Sequence, residues 1–305
     1  MRIAFLGTPP EAAVALQALH RAGHDVALVV TQPDRRRGRG GDTSPSPVKR
    51  TALELDLPVR TPEKAVEVVD ELRGSGAELG VVVAFGQILP VPLLESLPHG
   101  FVNVHYSLLP RWRGAAPVER AILAGDAETG VCIMAVEEGL DTGGVYAEAR
   151  ISIADDDTAG QLRAELADLG AQLLVETIES IPGSTPHPQE GEATYARKLT
   201  PEEFELDWSA PAAQVSRMVR AANPNPGAWT FAGGRRLKIW RAQPADADLE
   251  PGHVAPDAPV VGTGEGGIRL VEVQVEGKQR VTGDDWRRGF RGDHLGAASP
   301  GDRRP

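Results

Sequence analysis

The sequence predicts an α/β chain: an open, mostly parallel sheet flanked by helices, followed by a small β-barrel domain. Three observations predict it. Short apolar runs alternate with segments of helical period through the first half. A polar stretch rich in Pro, Gly and Ser breaks that rhythm at residues 181–200. Beyond it, short period-two runs separated by Gly and Pro take over, the pattern of a small barrel.

RIAFL (2–6) ends at Gly7, a strand-to-turn signal. Residues 9–21 carry Ala12, Leu16 and Leu19 at helical spacing. Pro9 or Pro10 suits the first helical turn, where a missing N–H costs nothing. DVALVVT (25–31) is the next strand. GVVVA (80–84) is apolar throughout, as a strand buried on both faces would be. FVNV (101–104) is a fourth. GVCIMAVEEGLDTGGVYAEARISI (130–153) reads as two strands around a Gly-rich turn. Residues 158–180 form a helix that Thr158 can cap. Residues 181–200 read as a linker, and PAAQVSRMVRAA (211–222) as one amphipathic helix. In IRLVEVQVEG (268–277), Val271, Val273 and Val275 are expected on one face, with Glu272, Gln274 and Glu276 on the other. The domain boundaries that follow are 1–185, a linker at 186–204, a second domain at 205–295 and a disordered tail at 296–305.

Composition narrows the function classes. No apolar run approaches the ~20 residues that span a bilayer. The N-terminal apolar run is too short for a signal peptide, so a cytoplasmic protein is expected. The single cysteine, Cys132, excludes an intrachain disulfide and a Cys-based metal cluster. It sits in an apolar run and reads as core. A net charge of −11 argues against a protein that coats nucleic acid non-specifically. The charge is uneven, however. Residues 206–305 hold 14 Lys+Arg and 12 Asp+Glu, a net of +2, against −13 for the rest. That asymmetry suits one face of a nucleic-acid contact, or arises by chance.

The stretch NVHYSLLPRWRGAAP (103–117) carries the chemistry. Side chains at i and i+2 share a strand face, so Asn103 and His105 project together. They leave the C-terminal end of a parallel strand, where open sheets bind ligands. An amide NH₂ and an imidazole N–H aimed at one point make an oxyanion hole. Two polar residues simply entering solvent is the plainer reading of the same pattern. Asp141, in EEGLDTGG, is either a turn former or a carboxylate that folds back onto His105. In the second case it would fix the imidazole tautomer and favour its protonated form. Ser107 does not read as a hydrolase nucleophile, because GxSxG is absent. No HExxH or paired-His spacing marks a zinc site. The first strand-to-helix turn, GTPPEA, lacks the GxGxxG of a nicotinamide site. TQPDRRRGRGGDTSPSPVKR (31–50) is too long for an ordinary βα connection. Its Arg35, Arg36, Arg37 and Arg39 suit phosphate contacts, or simply a solvated loop.

Taken with FLGTP (5–9), SPSPVK (44–49), VVVAFGQILP (81–90), AGDAETGV (124–131), GLDTGG (139–144) and NPNPGAW (223–229), these motifs resemble the methionyl-tRNA formyltransferases of bacteria and organelles. The resemblance covers essentially the whole chain except the tail. Asn-x-His with SLLPxxRG and the later GLDTG marks folate-dependent formyltransferases in general. The arginine loop, the AAP after Arg-Gly, and NPxPGAW narrow it to the tRNA enzymes.

The resemblance implies a doubly wound, Rossmann-like N-terminal domain and an OB-like C-terminal barrel. It implies transfer of the formyl group of 10-formyltetrahydrofolate to the α-amino group of methionyl-initiator tRNA, without a metal, by a cytoplasmic monomer. Asn103, His105 and Asp141 would be catalytic. Phe85, Gly86, Gln87, Ile88 and Leu89, with Ser107, Leu108, Leu109 and Pro110, would hold the folate. Arg36, Arg37 and Arg39 would meet the tRNA. Three residues depart from the family's habit. Tyr106 stands where a small residue is usual, Glu11 where Phe is common, and Cys132 where Thr is usual. The rival readings are another folate formyltransferase acting on a purine precursor or nucleotide sugar, a formyl-folate hydrolase, and a non-catalytic RNA-binding module.

Overall fold

The computed structural model describes residues 1–36 and 43–296. Arg37 and Arg39, and residues 297–305 of the expected tail, lie outside the described residues. The chain divides into two compact units. One holds Met1–Pro117, Glu128–Ser152 and Arg163–Ala196. The other holds Val118–Ala127, Ile153–Leu162 and the chain from Arg197 onward.

In chain order, β1 (Arg2–Gly7) leads into α1 (Pro10–Arg21), with Pro9 as its N-cap and a proline in the first turn. Then come β2 (Asp25–Val30), the short antiparallel pair β3 (Arg35–Arg36) and β4 (Thr43–Ser44), and α2 (Pro47–Glu54). Ser46 caps α2 by accepting from the Lys49 amide at 3.0 Å. β5 (Val59–Arg60), α3 (Val69–Gly74), β6 (Leu79–Val83), α4 (Val91–Leu94) and β7 (Phe101–His105) follow. Next are β8 (Arg113–Gly114), α5 (Pro117–Ala124), β9 (Glu128–Ala135), β10 (Val145–Ser152) and α6 (Ala159–Thr177). Thr158 and Gln161 bond reciprocally at the start of α6, side chain to backbone in each direction.

The seven-stranded sheet of the first unit runs β10-β9-β7-β6-β1-β2-β5. The strands from β7 to β5 are parallel, and β9 and β10 turn the edge antiparallel. The expected parallel sheet and the Gly-rich hairpin are both present. The registers place Ala4, Leu6, Val82, Phe101, Asn103 and His105 on one face. The apolar members pack there with Val69 and Leu72 of α3 and Leu93 of α4. On the other face, Gly170 of α6 fits against Val104, Val131 and Tyr106. A β-carbon there would lie 2.9 Å from Val104. β7 therefore delivers Asn103 and His105 to one side and anchors Val102, Val104 and Tyr106 on the other.

The segment read as a linker carries structure of its own. β11 (Tyr195–Ala196) pairs in parallel with β8, and a 3₁₀ turn at Pro201–Phe204 is closed by a Thr200–Glu203 capping box.

The second unit contains α7 (Ala212–Ala221) and five antiparallel strands. They are β12 (Ala228–Ala232), β13 (Arg235–Ala245), β14 (Val260–Gly262), β15 (Gly267–Val275) and β16 (Val281–Thr282), followed by α8 (Gly283–Gly289). Their order is β12-β13-β15-β14, with β16 also on β15. This is the sheet of the expected OB-like domain. The face assignment for β15 needs correcting. Ile268, Leu270 and Val273 are buried, and Val271 is not buried with Val273. Pairing with β13 passes from Arg241↔Glu272 to Ala242↔Leu270. Val271 is thus the extra residue of a bulge, which shifts the alternation by one.

Candidate active site

Asn103 and His105 stand at the C-terminal end of β7, the end of a parallel strand at which open sheets bind ligands. Among the described residues, the half-buried Asn103 amide has no hydrogen-bond partner. Its two donors are free for a ligand. His105 is buried, and its Nε2 donates to the Trp112 carbonyl at 3.0 Å. A carbonyl only accepts, so Nε2 carries the hydrogen. Nδ1 faces the Asp141 Oδ2 at 3.7 Å, within ion-pair range but too far for a direct hydrogen bond. The carboxylate does approach the imidazole. The tautomer, however, is set by the Trp112 carbonyl and not by Asp141, the residue to which the sequence had pointed. A backbone carbonyl leaves no mark in a side-chain pattern.

Asp141 adopts φ +49°, and its Oδ2 accepts the Gly114 amide at 2.8 Å. Gly114 itself sits at φ +120°, where a side chain is disfavoured. The loop between His105 and Gly114 is tied internally. The buried Ser107 hydroxyl donates to the Arg111 carbonyl at 2.6 Å, and the Arg111 amide donates to the Leu108 carbonyl at 3.1 Å. Ser107 therefore shapes the SLLP loop rather than presenting its hydroxyl. Leu109 is buried beside Cys132 and Met134.

The FGQIL loop (85–89) follows β6. Ala84 and Gly86 both have positive φ. The Phe85 side chain lies in the core, while its carbonyl accepts from Thr8 Oγ1 (3.0 Å) and Gln32 Nε2 (3.2 Å). Gln87 spends its side chain on the Ala65 amide (2.6 Å) and the Pro62 carbonyl (3.3 Å). Leu89 packs on the core edge. Ile88, at 88% exposure, and Leu140, at 62%, leave apolar surface open.

Cys132 is opposite His105 in the β7–β9 register and fully buried. Burial pushes its thiol up to about 11. It is core, as expected, and no nucleophile at neutral pH. Tyr106 points to the opposite face of the sheet from His105. Burial, and then the charge of Glu11, push its phenol well above the usual range. Glu11 pairs with Arg163 at 3.5 Å. Of the expected tRNA contacts, Arg36 lies in β3, paired with Thr43 of β4, while Arg37 and Arg39 are outside the described residues.

Sequence reasoning missed four residues that frame the site. The first two are Trp112, through its carbonyl, and Gly114, through its amide. The others are Gln189 and Thr194 in the segment read as a linker. Gln189 bonds Arg113 and the backbone of the Asp141 turn, and Thr194 accepts the Trp112 amide. Nothing in PHPQEGEAT sets these two apart. Among the described residues, no group of three or more His, Cys, Asp or Glu is placed to hold a metal ion. None of the described helices is long and apolar enough to cross a membrane.

Comparison with known proteins shows the family. A family model described as formyl transferase matches residues 1–178. A second, described as formyl transferase C-terminal domain, matches residues 198–291. A methionyl-tRNA formyltransferase of Paracoccus denitrificans is 48% identical over 293 residues, 95% of this chain and 98% of that protein. One of Symbiobacterium thermophilum is 49% identical over 294 residues, 92% of this chain and 90% of that protein. Among solved structures, an N-formyltransferase of Helicobacter canadensis in complex with folinic acid and dTDP-3-aminofucose superposes with a TM-score of 0.65. It covers 92% of this chain and 99% of its own length at 16% identity, which shows a shared fold. A phosphoribosylglycinamide formyltransferase of Bacillus halodurans, 25% identical with a TM-score of 0.51, covers 95% of its own length but only 59% of this chain. Matched in both halves and nearly end to end, the chain belongs to the methionyl-tRNA formyltransferase family.

Proposed function

We propose that this chain transfers the formyl group of 10-formyltetrahydrofolate to the α-amino group of methionyl-initiator tRNA, with Asn103, His105 and Asp141 as the catalytic set. The observation that carries this reading is the unpartnered Asn103 amide beside the His105–Asp141 pair. The free amine attacks the formyl carbon, and a C–N bond forms. Negative charge gathers on the formyl oxygen, and the Asn103 NH₂ donates to it. Collapse breaks the bond to the folate N10, which takes a proton as the amine loses one. His105 Nε2 is committed to Trp112, so Nδ1 is the atom free to share in that proton movement. Asp141 stands behind Nδ1 as the compensating charge. An α-amine of pKa near 8 needs little activation, so direct transfer without an enzyme-bound intermediate suffices.

The folate is assigned to the backbone of Phe85–Leu89 and the Ser107–Pro110 loop, with Ile88 and Leu140 as apolar cover. Arg36, Arg37 and Arg39 are assigned to the acceptor end of the tRNA. The working form is a cytoplasmic monomer. The length of the match beyond residue 198 favours this reading over a purine-precursor formyltransferase.

The test is formyl transfer to charged initiator tRNA, with charged elongator tRNA in parallel and formate release measured without an acceptor. Transfer to the initiator alone supports the reading. Folate consumed without transfer would make the chain a hydrolase. His105→Ala is expected to abolish transfer and leave tRNA affinity near wild type.

A further inference from the structure

The geometry points to Gln189 and Thr194 as positioning residues for His105 and Asp141. This extends the formyl-transfer reading above and rests on it. The Gln189 amide is fully committed. Its Nε2 donates to the Asp141 carbonyl at 2.9 Å and to the Gly143 carbonyl at 2.8 Å. Its Oε1 accepts from Arg113 Nε at 3.0 Å and from an Arg113 terminal nitrogen at 2.6 Å. Two donors and two lone pairs are all used. The orientation is unambiguous, because a flipped amide would set NH₂ against a guanidinium and oxygen against two carbonyls.

The consequence is a clamp on Asp141 from both ends. Its backbone, held at φ +49°, is tied to Gln189. Its carboxylate is tied to the Gly114 amide, next in the chain to Arg113, which Gln189 also holds. Rotating the carboxylate away from His105 therefore breaks the Gly114 bond, and shifting the turn that carries it breaks the Gln189 bonds.

Thr194 does the same for the imidazole. Its Oγ1 accepts the Trp112 amide at 2.9 Å, and its carbonyl accepts the Arg113 amide at 2.9 Å. Trp112, at φ +64°, is thereby fixed with its carbonyl on His105 Nε2. One six-residue segment braces both partners of the pair. The outer ladder confirms how firmly it is seated. His187 exchanges backbone bonds with Val145, and the Ala196 carbonyl accepts the Ala115 amide. Neither Gln189 nor Thr194 need touch a substrate to act.

The test uses the full chain. Gln189→Ala, and Gln189→Glu as the second variant, should each lower kcat by about tenfold or more. The folate KM should stay within about threefold. The Glu variant keeps a partner for Arg113 but sets a carboxylate against two carbonyls, so it should not rescue turnover. Thr194→Ser, which keeps the hydroxyl, should run near wild type, whereas Thr194→Val should lose kcat. The ¹⁵N spectrum of the His105 imidazole is read without substrate. Wild type should show a slowly exchanging Nε2–H that Thr194→Val loses and Thr194→Ser retains. Wild-type kcat in both Gln189 variants, or an unchanged imidazole spectrum in Thr194→Val, overturns the brace. So does a kcat loss that merely tracks thermal stability across the set. If wild type transfers no formyl group, the functional reading fails, and the spectrum still decides the brace.

Discussion

Replacing Gly114 by Ala should cost both stability and turnover, and the structure sizes each loss. Gly114 sits at φ +120°, a region that L residues rarely adopt. A β-carbon there would lie 2.8 Å from the Ala196 carbonyl oxygen. That oxygen cannot retreat cheaply, because it accepts from the Ala115 and Ala116 amides at 2.9 and 3.2 Å. The backbone of β8 must move instead. Strain of this kind costs about 1–3 kcal/mol, a fall in Tm of roughly 2–12 °C for a unit of this size. The same movement pulls the Gly114 amide from Asp141 Oδ2, now 2.8 Å away. A hydrogen bond to a charged group contributes about 1.5–3 kcal/mol, so kcat should fall about 10- to 150-fold. Gly74→Ala is the control. It lies at the end of α3 with nothing within 4 Å of its would-be β-carbon and should be neutral or slightly stabilising. Thermal melts and initial-rate kinetics on the two variants suffice. Wild-type Tm and kcat in Gly114→Ala would refute both steps. A lowered Tm with unchanged kcat would refute only the link to Asp141.

Cys132 supplies a pH dependence. Its thiol titrates near 9 when unfolded and about 11 when folded, so between those values the unfolded chain has lost a proton that the folded chain keeps. Stability from this group is complete below pH 9 and falls as pH rises toward 11, by at most about 1.4 kcal/mol per unit. Urea titrations from pH 8 to 10.5 should give a shallower alkaline fall for Cys132→Ala than for wild type. Arg39→Ala should raise KM for initiator tRNA and flatten its dependence on salt, measured as log(kcat/KM) against log[KCl]. An unchanged preference for initiator over elongator tRNA would remove Arg39 from recognition.

How much of this was legible in the sequence depends on the range of the interaction. β7 was legible because alternation is local, with Val102 and Val104 on one face and Asn103 and His105 on the other. The helix starts at Pro10 and Thr158 were legible for the same reason. Val271 was misassigned because a bulge is a property of two strands. The extra residue exists only relative to Arg241 and Ala242 of β13, thirty positions away. The segment 186–204 looked like a linker because its Pro, Gly and polar content describes local stiffness and solubility. It says nothing about partners such as Arg113 and Asp141.

The site divides along the same line. The groups proposed to meet substrate are side chains of unusual type in short motifs, and they announce themselves. The groups that aim them are backbone atoms, the Trp112 carbonyl and the Gly114 amide, or an ordinary Gln and Thr far along the chain. The Nε2–H tautomer of His105 is the case that matters most. Asp141 was the natural candidate for setting it, since a carboxylate is visible in sequence. A carbonyl seven residues on does it instead, which leaves Nδ1 facing the Asp141 carboxylate at 3.7 Å.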